Sequence, residues 1–140
     1  MTARKLISIV TPCYNEQDNI EELYQRIAAV MVNQPYDYEH ICIDNCSTDN
    51  TVKRIKEIAQ SDKRLKLIVN ARNFGHIRSP YYGILQSHGD ACVLIASDLQ
   101  DPPEMIAQFI QKWEQGFKTV LAVKPQSDEQ LFMFSLRRIY

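Results

Sequence analysis

Short apolar runs at residues 6–10, 40–43, 65–69, 91–96 and 119–123 punctuate the chain, each rich in Val, Ile or Ala and each giving way to polar residues. Runs of that length and composition read as buried strands. Between them the apolar positions change period. Ile20, Leu23, Tyr24, Ile27, Ala28 and Met31 fall at steps of three and four, as do Val52, Ile55 and Ala59, and again Ile106, Phe109, Ile110 and Trp113. That spacing lines one face of a helix. Strand and helix therefore alternate, which predicts an α/β fold: a mainly parallel sheet covered by helices on both faces and wound by right-handed crossovers.

Composition narrows the picture without changing it. At 140 residues, 45% hydrophobic and 24% charged, the chain has the size of one compact domain. Sixteen Lys+Arg against 17 Asp+Glu give a net charge of -1, so neither disorder nor a nucleic-acid partner is expected. No apolar run has the length of a membrane span and the first residues lack an apolar signal core, which predicts a soluble, cytosolic segment. Cys13, Cys42, Cys46 and Cys92 are scattered without zinc-ligand spacing; Cys42 and Cys92 lie inside strand-like runs, where a reduced thiol serves as a small hydrophobe. The glycines, Gly75, Gly83, Gly89 and Gly116, form no Gly-rich phosphate loop, which argues against dinucleotide-binding and P-loop chemistry. A diphosphate ligand would then need a cation, and Asp98 with Gln100 offers hard oxygen ligands suited to Mg²⁺ or Mn²⁺.

In an open parallel sheet, ligands bind beyond the carboxyl ends of the strands. The segments there are Thr11-Pro-Cys-Tyr-Asn-Glu16, Asp44-Asn-Cys-Ser-Thr-Asp49, Asn70-Ala-Arg-Asn-Phe-Gly75 and Ser97-Asp-Leu-Gln-Asp101. Each candidate has an ordinary alternative. Asp98 either ends its strand in a turn or serves a ligand. Asp101, followed by two prolines and Glu104, reads as a helix cap, as does Asp18; one of Ser47, Thr48 and Asp49 caps the next helix, leaving Asp44 as the functional acid. Tyr14 and Glu16 can face a base and a ribose, although a loop tyrosine is also ordinary packing. Arg72 is an anion partner or a solvated charge. His76 and His88 read as packing or caps.

Taken together, Val10-Thr-Pro-Cys-Tyr-Asn-Glu16, Ile43-Asp-Asn-Cys-Ser-Thr-Asp-Asn-Thr51, Ala71-Arg-Asn-Phe-Gly75 and Ala96-Ser-Asp-Leu-Gln-Asp-Pro-Pro-Glu104 resemble family 2 glycosyltransferases with a GT-A fold. Within that family the last two motifs are most similar to the polyprenyl-phosphate group, of the dolichol-phosphate mannose synthase kind. The resemblance implies that Pro12, Tyr14 and Glu16 surround the nucleoside of a nucleoside-diphosphate sugar and that Asp44 meets its base or ribose. It makes Asp98 the second acid of an Asp-x-Asp element, binding Mg²⁺ or Mn²⁺ with Gln100, with Ser97 beside it in the nucleotide-sugar site. Arg72 and Lys124 then lie near the diphosphate.

The chain departs from the pattern at Ala96, where the first acid of Asp-x-Asp is usual, at Asn45, where a second Asp often follows Asp44, and at Cys46, where Gly or Ala is common. The resemblance also implies a longer protein. Residues 1–126 correspond to an amino-terminal nucleotide-sugar-binding domain, and residues 127–140 to the start of an amphipathic helix at a membrane surface or over a core. The implied reaction is inverting transfer of a sugar to a polyprenyl phosphate, or alternatively to a glycan, at the cytoplasmic face of a membrane. No residue is assigned as catalytic base. A nucleotidyltransferase and a nucleotide-sugar-binding domain without turnover are the rival readings.

Overall fold

The computed structural model describes residues 4–123, so Lys124 and the 127–140 segment lie outside the described residues. The elements are β1 (Leu6–Cys13), α1 (Ile20–Met31), β2 (Asp37–Asp44), α2 (Thr51–Ser61), β3 (Leu65–Val69), α3 (Gly75–Leu85), β4 (Ala91–Leu94) and α4 (Met105–Glu114). The strands form one parallel sheet in the order β3-β2-β1-β4. In β1 and β2 the register runs from Leu6 opposite Asp37 to Cys13 opposite Asp44, so both strands end at the same level.

Strand alternation sorts the core into two layers. Ile7, Ile9 and Cys13 of β1, Tyr38 and Cys42 of β2, Leu65 and Val93 pack with Ile20, Leu23, Ile27, Ile55, Ile106 and Ile110 of α1, α2 and α4. The intervening positions Val10, Ile41 and Ile43 pack on the other face with Ile68 and Ile84, the latter from α3. Among the described residues helices thus cover both faces, three on one and one on the other. Where α3 crosses, Gly83 allows the backbone to sit on the sheet: a Cβ there would meet Val10 Cγ1 at 2.8 Å and Ile43 Cγ2 at 3.1 Å. Gly83→Ala should therefore destabilise the fold by about 1–3 kcal/mol through overpacking, which urea denaturation would measure.

At the amino-terminal side of the sheet a polar network replaces apolar packing. The buried Glu39 carboxylate accepts hydrogen bonds from Ser8 Oγ (2.6 Å) and the His88 main-chain N–H (2.8 Å) and pairs with Lys66 Nζ. Ser8 Oγ in turn accepts from the Gly89 N–H at 2.8 Å. Burial pushes the Glu39 carboxyl up, but the bonds from Lys66, Ser8 and His88 outweigh it and hold it below the usual carboxylate range.

Three local expectations are corrected. The run at 119–123 forms no strand, and Leu121 and Val123 are 79% and 82% exposed. Apolar, β-favouring residues make a strand only where a neighbouring edge takes their N–H and C=O groups. The Ala91 run leaves the sheet after Leu94, its last ladder contact being the Ile95 N–H to Val10 C=O bond at 3.0 Å. Neither Asp18 nor Asp101 occupies a cap position: Asn19 precedes α1, and Glu104 precedes α4. Before α4, the Pro102 and Pro103 carbonyls accept from Met105 and Ile106 N–H at 3.0 Å each, so a turn uses these residues and the helix starts later than the prolines suggest.

Candidate functional site

Two loops at the carboxyl edge of the sheet, one after β1 and one after β2, lock together by reciprocal bonds. The Asn15, Glu16 and Gln17 amides donate to Ser47 Oγ (2.9 Å), Thr51 Oγ1 (2.8 Å) and Asp49 Oδ2 (3.1 Å). In return Thr48 and Asn50 amides donate to Asn15 Oδ1 (2.8 Å) and Gln17 Oε1 (3.0 Å). Asp49 also accepts the Thr51 amide at 2.9 Å, but the cap position of α2 is Asn50, so none of Ser47, Thr48 and Asp49 stands there as expected. The Ser-Thr-Asp-Asn-Thr run is therefore a clasp that presents Tyr14 and Glu16. Burial raises the Asp49 carboxyl, yet the bonds from Thr51 and Gln17 prevail and set it below its ordinary value.

A lowered carboxyl contributes stability that is complete above its unfolded value and is lost as pH falls through the folded one. The clasp should accordingly loosen below about pH 4. Asp49→Ala should cost about 1 kcal/mol and speed hydrogen exchange at the Gln17 and Thr51 amides at neutral pH, with Gly116 as an unaffected reference.

The clasp borders a cleft of about 380 Å³ lined by Pro12, Cys13, Tyr14 and Glu16 from the β1 side, Asn45 after β2, Asn73, Gly75, His76, Ser79 and Pro80 from the approach and first turns of α3, and Ala96, Ser97 and Asp98 after β4. Three separate strand ends meet there, as the rule for parallel sheets requires. Tyr14 is 48% exposed, leaving a ring face open for stacking. Ser97 is buried and its hydroxyl donates to the Pro12 carbonyl at 2.9 Å, tying the β4 loop to the β1 loop. Hydrogen bonding with Cys42 and burial push the Cys13 thiol up, so it meets the cleft uncharged.

Asp98 is exposed and projects from a strained turn: its Oδ1 accepts the Gln100 amide at 3.1 Å, and Leu99 between them has φ of 59°. Among the described residues no group of three or more His, Cys, Asp or Glu side chains is placed to hold a metal by itself. One exposed carboxylate in a polar cleft nevertheless fits a hard cation that takes its remaining ligands from phosphate oxygens and water.

The other candidates lie around this cleft rather than in its lining. Asp44 is wholly buried behind it: Oδ2 accepts the Cys46 (3.1 Å) and Ser47 (3.0 Å) amides, and Oδ1 has no partner. Cys46 has φ of 70°, a left-handed conformation that suits glycine. Arg72 is exposed, its guanidinium 4.7 Å over the Phe74 ring, and Gln100 is exposed beyond the Asp98 turn. His76, expected to pack or cap, is instead exposed and lines the cleft, because α3 begins beside the β1 and β4 ends. Asn73, Ser79 and Pro80 were not legible as cleft residues; the Asn70–Gly75 loop was the one signal, and no periodicity tells where its helix begins.

The architecture matches solved glycosyltransferases of the GT-A type. The mannosyltransferase PcManGT of Pyrobaculum calidifontis, in complex with GDP-Man and Mn²⁺, superposes with a TM-score of 0.68 and 25% identity, over 97% of this chain and 39% of that one. The described domain is thus a GT-A-type α/β domain with an open cleft at its carboxyl edge.

The model of glycosyl transferase family 2 matches residues 8–138, and the chain belongs to that family. It is 36% identical over 96% of its length to an uncharacterized glycosyltransferase of Synechocystis sp., spanning 43% of that protein. It is 32% identical over 90% of its length to the undecaprenyl-phosphate 4-deoxy-4-formamido-L-arabinose transferase of Pseudomonas fluorescens, spanning 37% of it. The chain therefore covers about two fifths of these relatives.

Proposed function

We propose that this chain is the donor-binding part of a glycosyltransferase that takes a sugar from a nucleoside diphosphate and passes it, with inversion, to a polyprenyl phosphate. The observation that carries the reading is the convergence of Pro12, Tyr14, Glu16, Ser97 and Asp98 on one cleft. Tyr14 stacks on the base and Glu16 accepts from the ribose, while Asp44 supplies a buried acceptor behind them. Asp98, with Gln100, holds Mg²⁺ or Mn²⁺, which when bound neutralises charge on the departing diphosphate. Arg72 adds positive charge for the diphosphate, and the family resemblance extends that role to Lys124.

A lipid phosphate suits this site as acceptor. Its second ionisation lies near a pKa of about 6, so at neutral pH it is already a nucleophile and needs little general-base help. The transferase of Pseudomonas fluorescens named for undecaprenyl phosphate supports that choice. Among the described residues no helix is long and apolar enough to cross a membrane. Placement at the cytoplasmic face of a membrane belongs to the same proposal, through residues 127–140 and whatever accompanies them.

Titration with UDP- and GDP-sugars, with and without Mn²⁺, tests the donor half. Product analysis on the full-length protein with polyprenyl phosphate and with glycan acceptors tests the other, since the chain by itself is expected to transfer little or nothing. Metal-dependent binding followed by a lipid-linked sugar supports the proposal; transfer only to glycans moves the acceptor, and binding without any product leaves a non-catalytic domain.

A further inference from the structure

Asn45 stands directly after Asp44 and is only 7% exposed, yet its side-chain amide is used on every side. Its Nδ2 donates to Asn73 Oδ1 (2.9 Å) and to the Gly75 carbonyl (3.3 Å). Its Oδ1 accepts from the Phe74 amide (2.8 Å) and from Asn70 Nδ2 (3.2 Å). Its own main-chain N–H reaches back to the Cys13 carbonyl at 2.8 Å, so the group is anchored to the central strand.

We infer that Asn45 is the positioning residue for the phosphate-facing wall of the cleft, fixing the turn at 70–75 so that Asn73, Gly75 and His76 stand against Ser97 and Asp98. The inference rests on the nucleotide-sugar reading of that cleft. Its chemical core is that two donors and two accepted bonds are needed from one short side chain, and an amide meets that need. A carboxylate of the same shape has no donors and would set negative charge against Asn73 Oδ1 and the Gly75 carbonyl. Asn73 Oδ1 also accepts the Gly75 amide at 2.8 Å, and Gly75 turns at φ of +84° into α3, so the wall and the start of the helix depend on this one contact set. Gly75 and His76 at the start of α3 line the cleft, where the positive end of the helix dipole suits phosphate oxygens rather than the base. The departure from a second acid after Asp44 thus selects a particular loop geometry.

The test compares the wild-type chain with Asn45→Asp and Asn73→Ala. Affinity for UDP and GDP, and for uridine and guanosine, is measured with Mn²⁺ at pH 8 and pH 5, alongside hydrogen exchange at the Phe74 and Gly75 amides. Diphosphate affinity is expected to fall at least about tenfold in both variants while nucleoside affinity stays within about twofold, a split that general destabilisation would not produce. For Asn45→Asp the loss relative to wild type should shrink at pH 5, because burial against the Asn73 and Gly75 oxygens raises the introduced carboxyl and lets it take up a proton to donate. Should Asn45→Asp fail to fold, Asn73→Ala, on the exposed loop, decides alone. Equal losses for nucleoside and diphosphate, or none for either, overturn the positioning role. If the wild type binds neither diphosphate, the underlying nucleotide reading fails first and takes this inference with it.

Discussion

Asp98→Asn is expected to abolish the Mn²⁺-dependent part of nucleotide-sugar binding, lowering affinity by about ten- to a hundredfold, or about 1.4–2.8 kcal/mol, while metal-free binding changes little. The substitution keeps the shape of the side chain and its acceptor for the Gln100 amide, so the Asp98 turn survives. What is lost is the charge that draws a hard cation. Asp98 is exposed and takes no part in the core, so thermal unfolding should stay within about 0.5 kcal/mol of wild type. Calorimetric titration with and without Mn²⁺ reads both parts at once. Metal-dependent binding that survives the change would move the cation to another residue and remove the acid on which the proposed chemistry leans.

Glu39→Ala should produce the largest loss of stability, about 3 kcal/mol, because one deletion strands several groups. The Ser8 hydroxyl and the His88 amide lose their acceptor, and Lys66 loses its partner. Lys66 is half exposed and can turn to water, which keeps the figure at the lower end for a broken buried pair. A fall in Tm of about 10 °C should follow, with nucleotide binding at low temperature unchanged because the network lies at the end of the sheet away from the cleft. Since Glu39 titrates below the usual carboxylate range when folded, its contribution is full above the unfolded value near about 4.3 and disappears as pH falls through the lower folded value. The wild type should therefore lose stability on acidification more steeply than Glu39→Ala. Parallel acid-melting curves would remove Glu39 from this role.

Much of this molecule was readable from residue order. Periodicity placed α1 to within a residue of its observed start and located β1 to β4, because helix and strand bury faces of different period and the buried faces here are mostly Ile, Leu and Val. The acids and the aromatic ring of the cleft were legible because a parallel sheet gathers its strand ends on one edge. Reading failed where a partner decides the outcome. Residues 119–123 have the composition of a strand but no ladder, and Asp101 has the spacing of a cap but stands before a proline turn. His76 read as packing or a cap and Asn73 only as part of a loop, because their place in the cleft depends on how closely α3 approaches β1, where Gly83 sits against Val10 and Ile43.

The linear order of residues by itself determined the alternation of strand and helix, the two-layered core and the set of polar segments at the strand ends, all of which follow from local period and burial. Tertiary structure alone decided that Asp44 lies buried behind the cleft while Asp98 stands open in it, that Ser47, Asp49 and Thr51 serve as a clasp, and that Asn45 holds the opposite wall. Those roles arise from hydrogen bonds between residues about thirty positions apart, whose geometry exists only once the sheet has brought the loops together.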